Sequence, residues 1–272
     1  MAILETRRIS KTYPSKKGDI VAIGDVSFNV EHNEVFGIVG PSGAGKTTLL
    51  KCLAGLLQPT SGEVTLLGQR VTKPPREMAM VFQDYSRSLL PWLTVADNVA
   101  LPLRCQKVPK SEIVERCQAV LAAVGLANRG TAYPWQLSGG MQQRVAIARG
   151  LAFRPEVLLL DEPFGSLDAQ TRSELEDLVH DIRGRFDMTF LLVTHDIDEA
   201  VYLCDRVAVL SEAPSRVKEV LDIHLDVRGN QVTSKALPEF SSYRGQIISL
   251  IKGGNLSEVG ADAGSDRDTA VS

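Results

Sequence analysis

Long hydrophobic runs are absent from this sequence. Apolar stretches such as residues 157–160 have the length of a strand, whereas a membrane-spanning helix needs about 18 or more apolar residues. Residues 1–8 include charged side chains and no apolar core of the kind that a secretory signal has. From the sequence alone, we expect that any role at a membrane depends on another protein chain.

Cysteine and positive charge are also in short supply. The four cysteines are scattered and form no C-x-x-C pair; they are Cys52, Cys105, Cys117 and Cys204. This arrangement favours a reduced, cytosolic protein over a disulfide framework or a zinc site. The formal net charge is −3, so the sequence predicts no general basic surface for nucleic acid. With 272 residues, 44% of them hydrophobic, the chain can form one large α/β domain or a domain with an inserted subdomain.

The most informative stretch is residues 40–48, which fit the pattern G-x-x-x-x-G-K-[ST] of a phosphate-binding loop. It consists of Gly40, Pro41, Ser42, Gly43, Ala44, Gly45, Lys46, Thr47 and Thr48. An apolar run at 34–39 predicts a strand before the loop, and residues 47–57 predict a helix after it, whose N-terminus faces the phosphates. Lys46 can then reach the β- and γ-phosphates, and Thr47 can bind Mg²⁺. A chance match in a glycine-rich turn is the minor explanation, and we predict that the chain binds a nucleoside triphosphate.

Strand and helix patterns alternate along most of the chain. Strands are predicted at 2–9, 20–30, 63–67, 78–82, 156–160, 189–193, 207–210 and 216–225, and helices at 169–186, 196–203 and 239–252. This alternation predicts an α/β domain over 1–252 with a mostly parallel sheet. Its C-terminal strand and helix span about 212–252. Residues 253–272 are rich in Gly, Ala, Ser and Asp and are predicted to be disordered.

A helical pattern interrupts this alternation at about 94–150. Ser111 is the predicted N-cap of one helix. Apolar residues recur after it at i, i+3 and i+4 spacing until Gly125, and we expect them to face inward: Ile113, Val114, Cys117, Val120, Leu121 and Val124. A second helix is predicted to begin near Gly139. The stretch therefore predicts a helical subdomain inserted into the α/β core.

Two further segments carry candidate chemistry. Asp161 and Glu162 follow a predicted buried strand, where phosphate-loop enzymes hold a carboxylate for Mg²⁺; Asp161 suits that role, and Glu162 could accept a proton from an attacking water. The alternative is a strand that merely ends in acids. Ser138, Gly139 and Gly140 open a helix with a hydroxyl and free backbone N–H groups, which makes a second candidate anion site. The alternative there is a capped, glycine-rich loop without a ligand.

Taken together, these motifs resemble the ATPase subunit of an ABC transporter over about residues 3–225. The resemblance implies a P-loop NTPase ABC cassette, with a mostly parallel sheet core, an antiparallel β part and the inserted helical subdomain. It matches residues 138–140 to the family's signature loop. Met141 stands where the commonest signature has Gln, while the serine and the two glycines are intact.

The resemblance also implies four more site residues. Tyr13 matches the aromatic residue that stacks on adenine, and Gln83 matches the glutamine that touches Mg²⁺ and the attacking water. Asp168 lies in the loop that crosses the dimer interface, and His195 matches the switch histidine that contacts the γ-phosphate. Without the family, the same residues would be a surface turn tyrosine, an exposed glutamine, a helix cap and a structural histidine.

Cofactors and partners follow from the same resemblance. It implies ATP and Mg²⁺ as cofactors, and a head-to-tail dimer in which each ATP lies between 40–48 of one copy and 138–140 of the other. It further implies a transmembrane permease, an extracytoplasmic solute-binding protein and a peripheral location at the cytoplasmic face of the membrane.

The segments 82–84, 90–92 and 161–168 look most like bacterial importers of the nitrate, sulfonate, taurine and bicarbonate type, which implies a small anion or organic solute. One alternative is a soluble ABC-type ATPase acting on nucleic acid or ribosomes. Such proteins usually carry a coiled-coil insertion, zinc cysteines or a second cassette, and none is present in the sequence. A second alternative is a module that holds ATP without turnover, against which Glu162 and His195 argue.

Overall fold

The computed structural model describes residues 2–16, 18–84 and 88–253, which form one ten-stranded sheet and eight α-helices. The strands are β1 (Ala2–Tyr13), β2 (Ile20–Glu31), β3 (Val35–Val39), β4 (Ser61–Leu66), β5 (Gln69–Arg70), β6 (Met78–Val81), β7 (Val157–Asp161), β8 (Thr189–Val193), β9 (Arg206–Leu210) and β10 (Ser215–Asp222). The helices are α1 (Lys46–Leu53), α2 (Val95–Cys105), α3 (Lys110–Ala123), α4 (Gly139–Ala152), α5 (Ala169–Phe186), α6 (Ile197–Leu203), α7 (Gln231–Lys235) and α8 (Pro238–Lys252). The predicted α/β class is confirmed.

Five adjacent strands, in the order β9-β3-β8-β7-β6, run parallel to one another. Every residue of β3, β7 and β8 is buried. This is why their sequences are continuous apolar runs, since strands covered on both faces need no polar alternation. Parallel strands end at the same edge of a sheet, and the register pairs Val193 with both Ile38 and Asp161. The segments that follow these three strands are therefore neighbours in space.

The antiparallel part is continuous with the parallel core. β1 pairs antiparallel with β2 and with β4, and β10 pairs antiparallel with β9 but parallel with β2. β10 thus joins both parts into one sheet. β1 continues to Tyr13, four residues beyond its predicted end, through several register shifts against β2.

The helices α2, α3 and α4 occupy the predicted helical segment. Thr94 caps α2 by accepting a hydrogen bond from the Asp97 backbone N–H (3.1 Å). The prediction of Ser111 as the N-cap of α3 is wrong: Pro109 holds that position, because its fixed φ suits the chain just before a helix. Val114 was wrongly predicted to face inward. It is 56% exposed, because the buried stripe of α3 runs through Ile113, Cys117, Val120 and Leu121 and leaves Val114 at its edge.

The C-terminal part contains α5 with the predicted bounds and a short α7 that the sequence did not predict. α8 begins with Pro238, whose missing N–H costs nothing in the first turn. Phe240 and Ile247 bury its inner face. Within the described part of the chain, none of the helices has the length and apolarity to cross a membrane. Residues 254–272, most of the segment predicted to be disordered, lie outside the described residues.

Candidate active site

A cleft of about 850 Å³ opens at the edge of the sheet where β3 ends. Residues 40–48 form much of its wall. Gly43 and Gly45 both have φ near +79°, a left-handed conformation that only glycine adopts without strain. A Cβ on Gly45 would also lie 2.9 Å from the Ala22 carbonyl oxygen. Gly43 and Gly45 are therefore required by the backbone path of the loop.

Lys46 lies in the first turn of α1 and is almost fully buried. Its Nζ donates hydrogen bonds to the carbonyl oxygens of Gly40 (2.9 Å) and Pro41 (3.1 Å). Burial lowers the pKa of the Lys46 ammonium, and the nearby carboxylates of Glu162 and Asp161 oppose that change. The side chain is held along the loop, where a phosphate in the cleft can reach it.

Asp161, the last residue of β7, is buried beside the start of α1. The Thr47 hydroxyl donates to Asp161 Oδ1 across 3.4 Å. Burial raises the pKa of Asp161, and the neighbouring Glu162 raises it further, whereas the bond from Thr47 lowers it. A cation would relieve this buried negative charge. Because Mg²⁺ prefers oxygen ligands and takes one or two protein groups with substrate phosphates, the Thr47 hydroxyl and the Asp161 carboxylate fit it. No cluster of three or more His, Cys, Asp or Glu side chains that could hold a metal occurs among the described residues, at this site or at another.

Glu162 is the centre of a small polar cluster. Its backbone is left-handed, with φ of 44°, so the chain turns sharply where β7 ends. Its Oε2 accepts a hydrogen bond from Gln83 Nε2 at 3.0 Å and lies 3.1 Å from His195 Nδ1. Glu162 and His195 both line the cleft. The sequence predicted these three residues as separate functional positions, and the structure brings them together on one carboxylate oxygen.

Other predicted site residues lie outside the cleft lining. Ser138 caps α4, with its hydroxyl accepting from the Met141 backbone N–H at 3.4 Å. Tyr13 ends β1, and the Lys11 ammonium lies 5.4 Å from the centroid of the Tyr13 ring. Asp168 is exposed and caps α5 by accepting from the Thr171 backbone N–H at 3.0 Å. Gly139 and Gly140 lie in the first turn of α4 and do not line the cleft.

Sequence reasoning missed three residues of the cleft wall. Ala22 of β2, Ile197 of α6 and Ile251 of α8 all line it. None belongs to a recognisable motif, because each reaches the cleft only through the packing of its own element. Ile251 is the most distant in sequence, and its position at the end of an amphipathic helix gave no local signal.

Arg172 of α5 is a fourth residue that the motifs did not indicate. Its Nη1 donates to Asp196 Oδ2 at 3.2 Å, and its Nη2 donates to the Leu167 carbonyl oxygen at 3.4 Å. Leu167 precedes Asp168 and Asp196 follows His195, so Arg172 ties the loop before α5 to the segment that carries His195. An arginine in the first turn of a helix would otherwise be taken for a surface charge.

Comparison with known proteins decides what this cleft belongs to. The family model described as ABC transporter matches residues 23–165. The nitrate import ATP-binding protein NrtD of Synechocystis is 43% identical over 267 residues, with 96% of this chain and 99% of the relative covered. The chain belongs to the ABC transporter family of ATP-binding subunits. Members of this family are ATPases that power transport, and the resemblance predicted from the motifs is confirmed.

Two further comparisons bear on this ABC subunit. The taurine import ATP-binding protein TauB of Chromobacterium violaceum is 43% identical over 252 residues, covering 91% of this chain and 95% of the relative. Among solved structures, a post-hydrolysis dimer of the ATP-binding cassette MJ0796 bound to ADP and Pi matches with a TM-score of 0.72 at 32% identity, covering 81% of this chain and 99% of that one. The predicted cassette fold is therefore confirmed.

Proposed function

We propose that this ABC subunit binds ATP between two copies of itself and powers a separate permease that imports a small anion or organic solute of the nitrate, sulfonate or taurine type. The single observation that carries the hydrolytic part is the Glu162 carboxylate, held by Gln83 and His195 at the edge of the phosphate-loop cleft. A carboxylate oriented in this way is suited to accept a proton from water beside a bound phosphate.

The phosphates of ATP bind to the backbone N–H groups of residues 40–48 and to Lys46, which the glycine conformations and the buried position of Lys46 support. Tyr13, exposed at the end of β1, stacks on the adenine ring. Thr47 and Asp161 would hold Mg²⁺, together with Gln83 as the family resemblance implies. When bound, Mg²⁺ neutralises charge that develops on the transferred phosphate.

Glu162 accepts the proton of the attacking water, and the contacts from Gln83 and His195 fix its orientation. Because both contacts fall on Oε2, Oε1 is the oxygen left to face the water. His195 is 59% exposed at its side chain, so it can also reach the γ-phosphate of a bound nucleotide. These residues position the attacking water, orient the Glu162 carboxylate and accept one proton. Positioning and electrostatic stabilisation account for most of the catalysis of phosphoryl transfer by proteins.

The location of Ser138, Gly139 and Gly140 supports a site that two copies share. They start α4 outside the cleft lining of their own chain, so a nucleotide in that cleft meets such a segment only from a second copy. The relative MJ0796 has been solved as a dimer with ADP and Pi. In our proposal Asp168, exposed at the start of α5, lies at the same interface.

The solute class rests on the relatives, whose names assign them to nitrate and taurine import. They disfavour the alternative of an ATPase that acts on nucleic acid or ribosomes. We place the subunit at the cytoplasmic face of the membrane, bound to a permease that works with an extracytoplasmic solute-binding protein. Trp92, which is 70% exposed a few residues after Gln83, is a suitable anchor for the permease. The sequence also favours the aromatic Tyr85 as such an anchor, but Tyr85 lies outside the described residues.

The test is to express the subunit with the permease and solute-binding protein encoded beside it and to measure ATP-dependent uptake of nitrate, sulfonates and taurine. We expect uptake of one of these solutes with the wild-type subunit and none with Glu162→Gln. A complex that hydrolyses ATP but takes up none of the three would contradict the solute class. Failure to associate with any permease would contradict the importer itself.

A further inference from the structure

The C-terminal helix α8 borders the nucleotide cleft, although no motif of the ATPase lies in it. Ile251, in its last turn, lines the cleft together with Ile197 and His195. Ile197 is the first residue of α6, and His195 lies two residues before it. The end of the chain's last described helix therefore lies beside the segment that carries the switch histidine.

A charged contact links α8 to this segment directly. Arg244 Nε lies 3.1 Å from Asp198 Oδ1. Asp198 is in the first turn of α6, three residues after His195. The pair is the counterpart of the contact between Arg172 and Asp196 (3.2 Å). Two arginines, one from α5 and one from α8, thus contact the start of α6 through acidic positions two residues apart, the N-cap Asp196 and Asp198 of the first turn.

The backbone between these contacts is firmly held, while the His195 side chain is not. Asp196 caps α6 by accepting from the backbone N–H groups of Asp198 (2.9 Å) and Glu199 (3.3 Å). Its own N–H donates to the Thr194 hydroxyl at 3.0 Å. His195 is more than half exposed and touches Glu162. A small rotation of α6 would therefore change the direction in which His195 points.

The helix α8 does not depend on Arg244 for its own place. Phe240 and Ile247 are 3% and 0% exposed, and Lys218 Nζ donates to the Leu250 carbonyl oxygen at 2.5 Å. The side chains of Arg244 and Asp198 are 55% and 35% exposed, and ion pairs this open to water add little to stability. The pair is accordingly better suited to setting an orientation than to holding the fold together.

We propose that α8 is a positioning element of the hydrolytic site, and that Arg244, through Asp198, sets the orientation of His195 against Glu162. This inference rests on the proposed function, because it assigns His195 a part in hydrolysis. Arg244 is a positioning residue, because it is not among the residues that line the cleft and contacts instead the segment that carries His195. Its removal lowers kcat and leaves the binding of ATP unchanged.

The test compares purified full-length variants in steady-state ATP hydrolysis. Misplacement of a catalytic group lowers the rate, but an exposed ion pair is worth at most about 1 kcal/mol, or about fivefold in rate. We therefore expect Arg244→Gln to lower kcat about three- to fivefold, with KM for ATP within about twofold of wild type and an unchanged Tm. Arg244→Lys keeps the charge and should recover most of kcat. Arg185→Gln removes the same charge from the far end of α5, where Arg185 is exposed, and should behave as wild type.

A double-variant comparison separates a positioning role from a structural one. If Arg244 acts through His195, then adding Arg244→Gln to His195→Ala should produce no further loss in single-turnover hydrolysis. Full additivity of the two losses would overturn the proposal, as would a wild-type kcat for Arg244→Gln or a loss of kcat that only follows a loss of Tm. Absence of hydrolysis in the wild-type protein would instead contradict the proposed function, so the two failures are distinguishable.

Discussion

Two helices of this protein begin at glycine-rich segments, and the two starts differ in what surrounds them. α1 begins after Gly45, which has no side chain to cap it, so its first N–H groups are open to the cleft. α4 begins after Ser138, whose hydroxyl already caps it. Lys46 and the carboxylates of Asp161 and Glu162 lie at the first start, whereas the second lies outside the cleft lining. In our proposal, a glycine-rich helix start thus makes a nearly complete phosphate site at α1 and only half of one at α4.

The largest expected effect concerns the cleft beside the start of α1, where we propose that hydrolysis occurs. Glu162→Gln should abolish steady-state hydrolysis, because loss of a positioned base typically costs about 10²–10⁴ in rate. ATP binding should persist and the dimer should stay closed, as size-exclusion chromatography with ATP would show. Glu219→Gln, at an exposed position of β10, is the matched control. Near-normal turnover of Glu162→Gln with its permease would remove Glu162 from this role.

The next prediction contrasts the two helix starts directly. Lys46→Ala should weaken ATP binding to the monomer about 10- to 100-fold, because hydrogen bonds to charged groups contribute about 1.5–3 kcal/mol. Ser138→Arg should leave monomer binding nearly intact and block dimer closure, since the bulky cation would collide with the opposing phosphate loop. Both affinities can be measured by titration with a fluorescent ATP analogue. An equal loss of affinity in both variants would contradict the two-half-site arrangement.

How much of this contrast the sequence could predict depends on how local each signal is. Continuous apolar runs fixed the positions of β7 and β8 well, and the strand ends then located Asp161 and Glu162. The contact of Arg172 with Asp196 and the place of Ile251 in the cleft wall were not predictable. Each joins segments far apart in sequence, and such contacts depend on how whole elements pack.

Gly140 shows the same limit within a recognised motif. The sequence interpretation gave the signature glycines one purpose, which was to expose backbone N–H groups. The structure adds another, because a Cβ on Gly140 would lie 2.2 Å from Thr171 Cγ2 of α5. A motif position can therefore be required by packing inside its own chain as well as by a ligand from outside it.

This close approach gives the third prediction. Gly140→Ala should lower the free energy of unfolding by about 1–3 kcal/mol, the usual cost of an added methyl group in a packed place. Combining it with Thr171→Ala should restore most of that loss, because the double variant removes the methyl group that the new Cβ meets. Chemical denaturation of both variants measures the effect. A single variant as stable as wild type would mean that the Thr171 side chain turns away from the added methyl group at little cost, and that packing does not require glycine at position 140.

The smallest effect concerns Glu176, which lies on α5 one turn beyond Thr171 and is 2% exposed. Burial raises the pKa of Glu176 to about 7, against the attraction of Lys235 (3.8 Å). A carboxyl whose pKa is higher in the folded state binds more protons there than in the unfolded chain. Its contribution to stability is therefore full below about pH 4.5, falls as the pH rises to about 7, and is constant above that.

Glu176→Gln should remove the loss of stability that occurs as the pH rises from about 4.5 to about 7. The free energy of unfolding of the variant should match that of the wild type at pH 5 and exceed it at pH 8 by on the order of 1 kcal/mol. The gain is smaller than the pKa shift alone would give, because the pairing with Lys235 is also lost. The Gln231 amide, 2.7 Å from Glu176 Oε2, can still donate to the new side chain. Urea denaturation at both pH values measures the difference, with Glu115→Gln at an exposed position of α3 as control. An equal difference in stability between Glu176→Gln and wild type at pH 5 and pH 8 would contradict the raised pKa of Glu176. The carboxyl would then be charged in the folded protein throughout this range, and α5 would tolerate a buried negative charge.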